Sequence, residues 1–110
     1  MARNCDDHTK NFNFLLKQGG RWELSPAFDI THAHNPSGKW TAQHLMSVNG
    51  KFDGIARVDL LAEADKYSIP HRKEILDEVN DAVSRWEFFA KKTGVGASDV
   101  RRVQADFQVV

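Results

Sequence analysis

Gly19 and Gly20 sit between two short stretches whose apolar residues alternate, and that pattern constrains the fold of this chain more than any other part of it. Residues 12–18 place Phe12, Phe14 and Leu16 on one face, at the period of two that a strand requires. Arg21-Trp22-Glu23-Leu24 alternates as a returning strand, and Ser25-Pro26 ends it. Paired glycines supply the positive φ that a two-residue hairpin turn needs. The expectation is a β-hairpin. In an antiparallel pair, the segment before the first strand and the segment after the second leave at the same open end. The hairpin therefore brings Asp6–Asn11 next to Ala27-Phe28-Asp29-Ile30, and makes Asp29 a neighbour of Asp6 and Asn11.

The segment so placed is chemically dense. Asp6-Asp7-His8-Thr9-Lys10-Asn11 collects two carboxylates, an imidazole, an ammonium and a carboxamide. Taken as bare residue types, these read equally well as a charged, solvated terminus. Only five residues precede the cluster, which gives it no earlier element to be mounted on, although functional loops are usually held on both sides. The spacing favours a specific chemistry over the solvated reading. Phosphoryl transfer needs a carboxylate to orient and deprotonate the attacking hydroxyl, and oxygen ligands for Mg²⁺ on the nucleotide phosphates. Protein kinases supply an Asp, an Asn five residues later, and a second Asp further along the chain. Asp6 and Asn11 have that spacing, and Asp29 takes the third position just beyond the hairpin.

Beyond the hairpin, residues 31–40 read as loop, punctuated by Asn35-Pro36 and Ser37-Gly38. Leu45-Met46-Ser47-Val48 is a short apolar segment that the pattern leaves open between strand and loop, and Asn49-Gly50 and Asp53-Gly54 mark turns. From Arg57 the period becomes helical. Val58, Leu61 and Ala62, with Leu60 and Ala64, form a stripe lasting to about Tyr67. Ser68-Ile69-Pro70 suggests a new helix with Ser68 as its N-cap. Ile75, Leu76, Val79, Ala82, Val83, Trp86, Phe89 and Ala90 then follow the i, i+3, i+4, i+7 rule of one long helix with a core-facing stripe. Lys91-Lys92 before Gly94 suit its C-terminus. A last helix starts near Ser98-Asp99 and buries Val100, Val103 and Phe107. The fold class is α+β and mainly helical, a short hairpin followed by about three helices within one domain, residues 1–110.

Fifteen basic and fifteen acidic side chains leave no net charge, so bulk electrostatics favour neither nucleic acid nor an anionic membrane. No apolar run approaches the ~20 residues of a membrane span, and the polar N-terminus has no signal-peptide core. The lone Cys5 excludes an internal disulfide and fits a reducing cytoplasm. It adjoins Asp6, whose charge disfavours a thiolate, so it is not a candidate nucleophile.

Asn4-Cys5-Asp6-Asp7-His8-Thr9-Lys10-Asn11-Phe12, then Gly19-Gly20, then Leu24-Ser25-Pro26-Ala27-Phe28-Asp29-Ile30, resembles the C-terminal region of HipA-like serine/threonine kinases, with their D-x-H-x-K-N-F loop and P-x-Y-D-[IL] segment. Phe28 stands where that family more often has Tyr. Met46-Ser47-Val48-Asn49-Gly50-Lys51 and Asp59-Leu60-Leu61-Ala62 are similar as well, so the resemblance covers roughly the whole chain and is sharp over residues 4–30. It implies part of the C-lobe of a protein-kinase-like fold, with Asp6 as catalytic base and Asn11 and Asp29 as Mg²⁺ and cofactor ligands. It also implies His8 and Lys10 as catalytic-loop residues near the phosphates, and Asp7 at a variable, solvated position. ATP and Mg²⁺ are the implied cofactors. The implied partners are a DNA-binding antitoxin protein of a toxin–antitoxin module and a protein substrate, an aminoacyl-tRNA synthetase in the best-known members.

Neither glycine cluster fits a phosphate loop: Gly19-Gly20 belongs to the hairpin, and Gly94-Val95-Gly96 joins two helices. No strand-borne lysine with a helical glutamate partner stands out as an ATP clamp. The chain therefore reads as the second half of a kinase active site, inactive by itself, whose uncovered apolar surface predicts a homodimer. The alternative is a non-catalytic interaction module with the same fold. A third reading, a small metal-dependent hydrolase, rests on His32 and His34, which an extended backbone would put on one face. The bland counterpart for the tryptophans Trp22, Trp40 and Trp86 is core or rim.

Overall fold

The computed structural model describes residues 1–110. A 3₁₀ turn at Thr9–Asn11 leads into β1 (Phe14–Leu16) and β2 (Trp22–Leu24), and a long irregular stretch then reaches four helices. These are α1 (Arg57–Lys66), α2 (Arg72–Ser84), α3 (Trp86–Lys92) and α4 (Ala97–Ala105). The class is α+β and mostly helical. No helix is long and apolar enough to cross a membrane.

The hairpin forms where alternation and glycine place it. β1 and β2 pair antiparallel with Phe14 opposite Leu24 and Leu16 opposite Trp22. Gly19 and Gly20 have φ of +98° and +80°. The turn is one residue longer than a two-residue loop, because the Lys17 amide donates to the Arg21 carbonyl (2.9 Å) and leaves Gln18-Gly19-Gly20 between them. The Ser25 amide donates to the Asn13 carbonyl (2.8 Å), carrying the ladder past both strands to the open end.

Two helical expectations are revised, and the open question at 45–48 is decided. The single long helix is two: the Ser84 hydroxyl donates back to the Asp81 carbonyl (2.7 Å), and the Arg85 amide turns to Ala82 (3.3 Å). Such back-bonding competes with the helical ladder and bends it. Four helices result rather than about three. Ser68 does not cap α2. It sits at φ +52°, with its amide on Asp65 (3.1 Å) and the Ile69 amide on Ala64 (2.9 Å), which is a Schellman ending for α1. The segment 45–48 is no strand. Asn49 and Gly50, at φ +51° and +77°, form a tight two-residue turn closed by Val48 and Lys51 alone.

Asp59 holds that turn to α1. Its carboxylate accepts from Asn49 Nδ2 (3.0 Å), Lys51 Nζ (2.9 Å) and the Ala56 amide (2.9 Å). Ala56 has no side-chain acceptor, so α1 is capped only by the third helical residue reaching back to the N-cap amide. Asp59 is 2 % exposed, and these donors, the Ala56 amide first, lower its pKa to about 2.

The tightest packing lies at α3 and α4, where Ala90, Val100 and Val103 are buried. Trp86 joins the two helices through Nε1, which donates to the Val100 carbonyl (3.1 Å), and it packs edge-on against Phe107, 6.0 Å between ring centres. Of the long apolar stripe only Ala90 is buried; Ile75, Val79 and Phe89 are each more than 40 % exposed, and in α1 Val58 is exposed too. The chain presents 8072 Å² to solvent, where a compact monomer of this mass would present roughly 6,200 Å².

A carboxyl whose folded pKa is about 2, against an ordinary 3.8, stabilises the fold above pH 4 and loses that contribution as pH falls towards 2. Thermal melts between pH 2 and 7 should show wild type losing stability through this window more steeply than Asp59→Asn. Equal slopes would remove Asp59 as the titrating anchor.

Candidate functional site

The polar cluster is mounted after all, by long-range backbone pairing. The Cys5 amide donates to the Ala33 carbonyl (3.0 Å), and the Ala33 amide donates to the Arg3 carbonyl (3.0 Å). Residues 3–5 thus lie parallel to the segment that follows Asp29. The expectation that nothing precedes the cluster to support it fails because support comes from beyond the hairpin.

Buried Arg3 reinforces the pairing. Its guanidinium donates to Asp53 Oδ1 (2.9 Å) and, from Nη2, to His34 Nε2 (2.7 Å). A guanidinium can only donate, so His34 carries its proton on Nδ1, 3.1 Å from Asp106 Oδ1 but poorly aligned with it. His32 donates from Nε2 to Asp106 Oδ2 (2.9 Å). Burial acts to raise the Asp106 pKa, but the two imidazole donors outweigh it and hold it below the ordinary value. The Arg3 hydrogen bond likewise lowers that of Asp53. The alternation at 32–34 does place both imidazoles together, as an extended backbone would, but Arg3 and Asp106 occupy them. No three His, Cys, Asp or Glu side chains converge in a metal-binding group. The hydrolase reading gains no ligand set from this arrangement.

The two adjacent carboxylates of the cluster have opposite surroundings. Asp7 is tied down: Oδ1 accepts from the Leu45 amide (2.7 Å) and the Met46 amide (3.4 Å), and Oδ2 lies 2.8 Å from His44 Nδ1. It was expected to be solvated, and its side chain is only 22 % exposed. Asp6 is 49 % exposed, and the His8 imidazole approaches it with Nε2 3.9 Å from Oδ1. His8 Nδ1 is buried without a partner. Lys10 lies in the middle of the 3₁₀ turn and is exposed.

Asn11 closes the loop on itself, donating from Nδ2 to the Asp6 carbonyl (3.2 Å). That bond leaves Oδ1, a hard oxygen, for a ligand. Asn11 and Asp29 line one cavity of about 180 Å³ at the open end of the hairpin, walled by Phe12, Leu24, Phe28 and Ile30. Asp29 has φ +54° and hydrogen-bonds through its carbonyl, which accepts from Asn4 Nδ2 (3.0 Å). Asp6, His8 and Lys10 are not part of the cavity wall. Asn11 and Asp29 therefore face one cavity, and Asp6 is joined to its wall through the Asn11 carboxamide. The oxygen donors of Asn11 and Asp29 are of the kind that Mg²⁺ takes.

Cys5 is fully buried and free. Burial is the main influence raising its thiol pKa, and the Asp7 charge adds to it. It is inert for that reason more than through its neighbour Asp6.

Reading by residue type missed Asn4, Arg3 and the anchoring role of Asp7. Asn4 and Asp7 fall inside the stretch that resembles a known motif, which was the one available signal. Arg3 left none, since its partners lie 31 and 50 residues away.

The family model described as HipA-like C-terminal domain matches residues 1–86. The chain belongs to the HipA-like C-terminal domain family. The match runs through β1, β2, α1 and α2 to the first residue of α3. Compared with curated proteins and with solved structures, the chain has no significant match in either.

Asp7→Ala should destabilise the fold by about 2 kcal/mol, because it strips an anionic acceptor from two amides and an imidazole. Urea unfolding measures this; a loss under 0.5 kcal/mol would mean that water replaces the carboxylate.

Proposed function

We propose that this chain carries the catalytic-base and Mg²⁺-binding part of a HipA-like serine/threonine protein kinase, within a protein-kinase-like C-lobe. The reaction is transfer of the ATP γ-phosphoryl group to a protein hydroxyl. The observation that supports the reading best is the shared cavity of Asn11 and Asp29, with Asp6 linked to Asn11 through its carbonyl. In this reading Asp6, half exposed and free of strong partners, accepts the proton of the attacking hydroxyl. Asn11 Oδ1 and the Asp29 carboxylate hold Mg²⁺, which when bound neutralises charge on the phosphates. Exposed Lys10 reaches the phosphates as a mobile cation, and His8 orients the Asp6 carboxylate from 3.9 Å. The tethered Asp7 keeps the loop in place and takes no part in proton transfer.

The same reading makes the protein a toxin of a toxin–antitoxin module, acting on a protein such as an aminoacyl-tRNA synthetase and restrained by a DNA-binding antitoxin. The 110-residue chain taken alone is not expected to autophosphorylate with ATP.

Mg²⁺ titration followed by NMR tests the assignment. The Asn11 and Asp29 amides should respond along one binding curve, and Asn11→Ala or Asp29→Ala should weaken binding at least tenfold, about 1.4 kcal/mol. Absence of any Mg²⁺ response at both residues in wild type would overturn it.

One observation favours a second reading, a non-catalytic interaction module. Phe14, Leu16, Trp22 and Leu24 share one hairpin face through their register, and each is more than half exposed. An apolar platform of this kind suits a protein partner, an antitoxin or a second copy of the chain. Light scattering should find a dimer at high concentration that Trp22→Glu returns to monomer. A monomeric wild type would remove the self-association.

A further inference from the structure

Asn4 uses both ends of its carboxamide on the candidate site. Its Oδ1 accepts from the Asp6 amide (3.3 Å), and its Nδ2 donates to the Asp29 carbonyl (3.0 Å). Asn4 is itself fixed by the backbone pairing of its two neighbours with Ala33. One side chain therefore touches the base-bearing loop and the far side of the cavity, and it also lines that cavity. The backbone at Asp29 needs such a partner. Its φ of +54° is left-handed, a conformation that costs an ordinary L-residue and that Asp tolerates best among charged residues.

We infer that Asn4 is a positioning residue, which sets the distance and orientation of Asp29 relative to the Asp6–Asn11 loop so that both reach one divalent cation. The inference rests on the kinase reading for the role of that cation, but the clamp itself is a property of the metal-free fold. A carboxamide is the group the position requires. Asp would keep the acceptor for the Asp6 amide and lose the donor to Asp29, placing a carboxylate against a carbonyl oxygen. Ser is too short to span the two partners, and Ala makes neither bond.

The near-isosteric Asn4→Asp separates the two bonds. In metal-free protein, the Asp6 amide should keep its hydrogen-exchange protection, while the Ile30 amide, in the same peptide unit as the Asp29 carbonyl, should move from rigid order parameters near 0.85 to below about 0.6. Asn4→Ala, which adds no charge, should release both amides and serves as the second variant should the first fail to fold. In the Mg²⁺ titration, Asp29 should leave the curve it shares with Asn11 and respond about tenfold more weakly. A merely structural asparagine would lower the melting temperature and leave that shared curve intact in the folded population. If Ile30 keeps its order in both variants, or if the shared curve survives with its affinity unchanged, the inference is overturned. If wild type shows no Mg²⁺ response while Ile30 still loosens, the kinase reading fails and Asn4 remains the clamp between the two segments.

Discussion

The two backbone hydrogen bonds between residues 3–5 and Ala33 are the constraint on which the rest of the site depends. They join the segment before the hairpin to the segment after it, on the far side of the cavity from the strands. The hairpin ladder closes one end of this loop system and the parallel bridge closes the other. Between them, Asp6–Asn11 and Ala27–Ile30 have little freedom to separate. Without the bridge, an exposed two-stranded ribbon of three residues a side would be the only link between them, and such ribbons are marginal in water.

What protects the bridge is polar. Arg3, buried beside Cys5, connects Asp53, His34 and, through His34, Asp106 at the end of α4. The C-terminal helices thus brace the N-terminal loop through a chain of polar groups, with the Phe107 ring against His32 as the apolar part of the contact, 6.5 Å between centres. A chain that buries so few side chains cannot rely on apolar area alone to fix its loops. Directional bonds to Asp7, Asp59 and Asp106 do that instead. Asp7 and Asp106 take partners 37 to 74 residues away and Asp59 takes donors within ten residues, so the irregular stretch between β2 and α1 is held at several points rather than left to wander.

How much of this was legible depended on the range of the interaction. Alternation and paired glycines placed the hairpin, helical periodicity placed α1 and α4, and the hairpin was enough to foresee Asp29 near Asn11, though not the bridge that keeps them there. The failures are of two kinds. Some are local competitions that residue type does not decide: Ser84 bonding back to Asp81 split the long helix, and Ser68 at positive φ ended one helix instead of starting another. Others are long-range. Nothing near Asp7 in sequence announces that its oxygens meet the amides of Leu45 and Met46, and nothing near Ala33 announces Arg3. Such pairings appear in a single sequence only as an unexplained density of polar residues.

The adjacency of Asp6 and Asp7 then acquires a physical meaning. Neighbouring residues on an extended loop point in opposite directions, so one carboxylate can face the protein while the other faces solvent. Asp7 faces inwards and spends its charge on backbone amides and His44, which fixes the peptide between the two residues. Asp6 inherits that fixed backbone and spends its own charge on nothing stronger than a histidine at 3.9 Å. A group that must accept a proton needs to be positioned without being neutralised, and those demands conflict for a single carboxylate, since every donor that holds it also lowers its basicity. If Asp6 is the base, as proposed, dividing the work between two consecutive aspartates, with Asn4 and Asn11 binding the Asp6 main chain rather than its side chain, resolves that conflict.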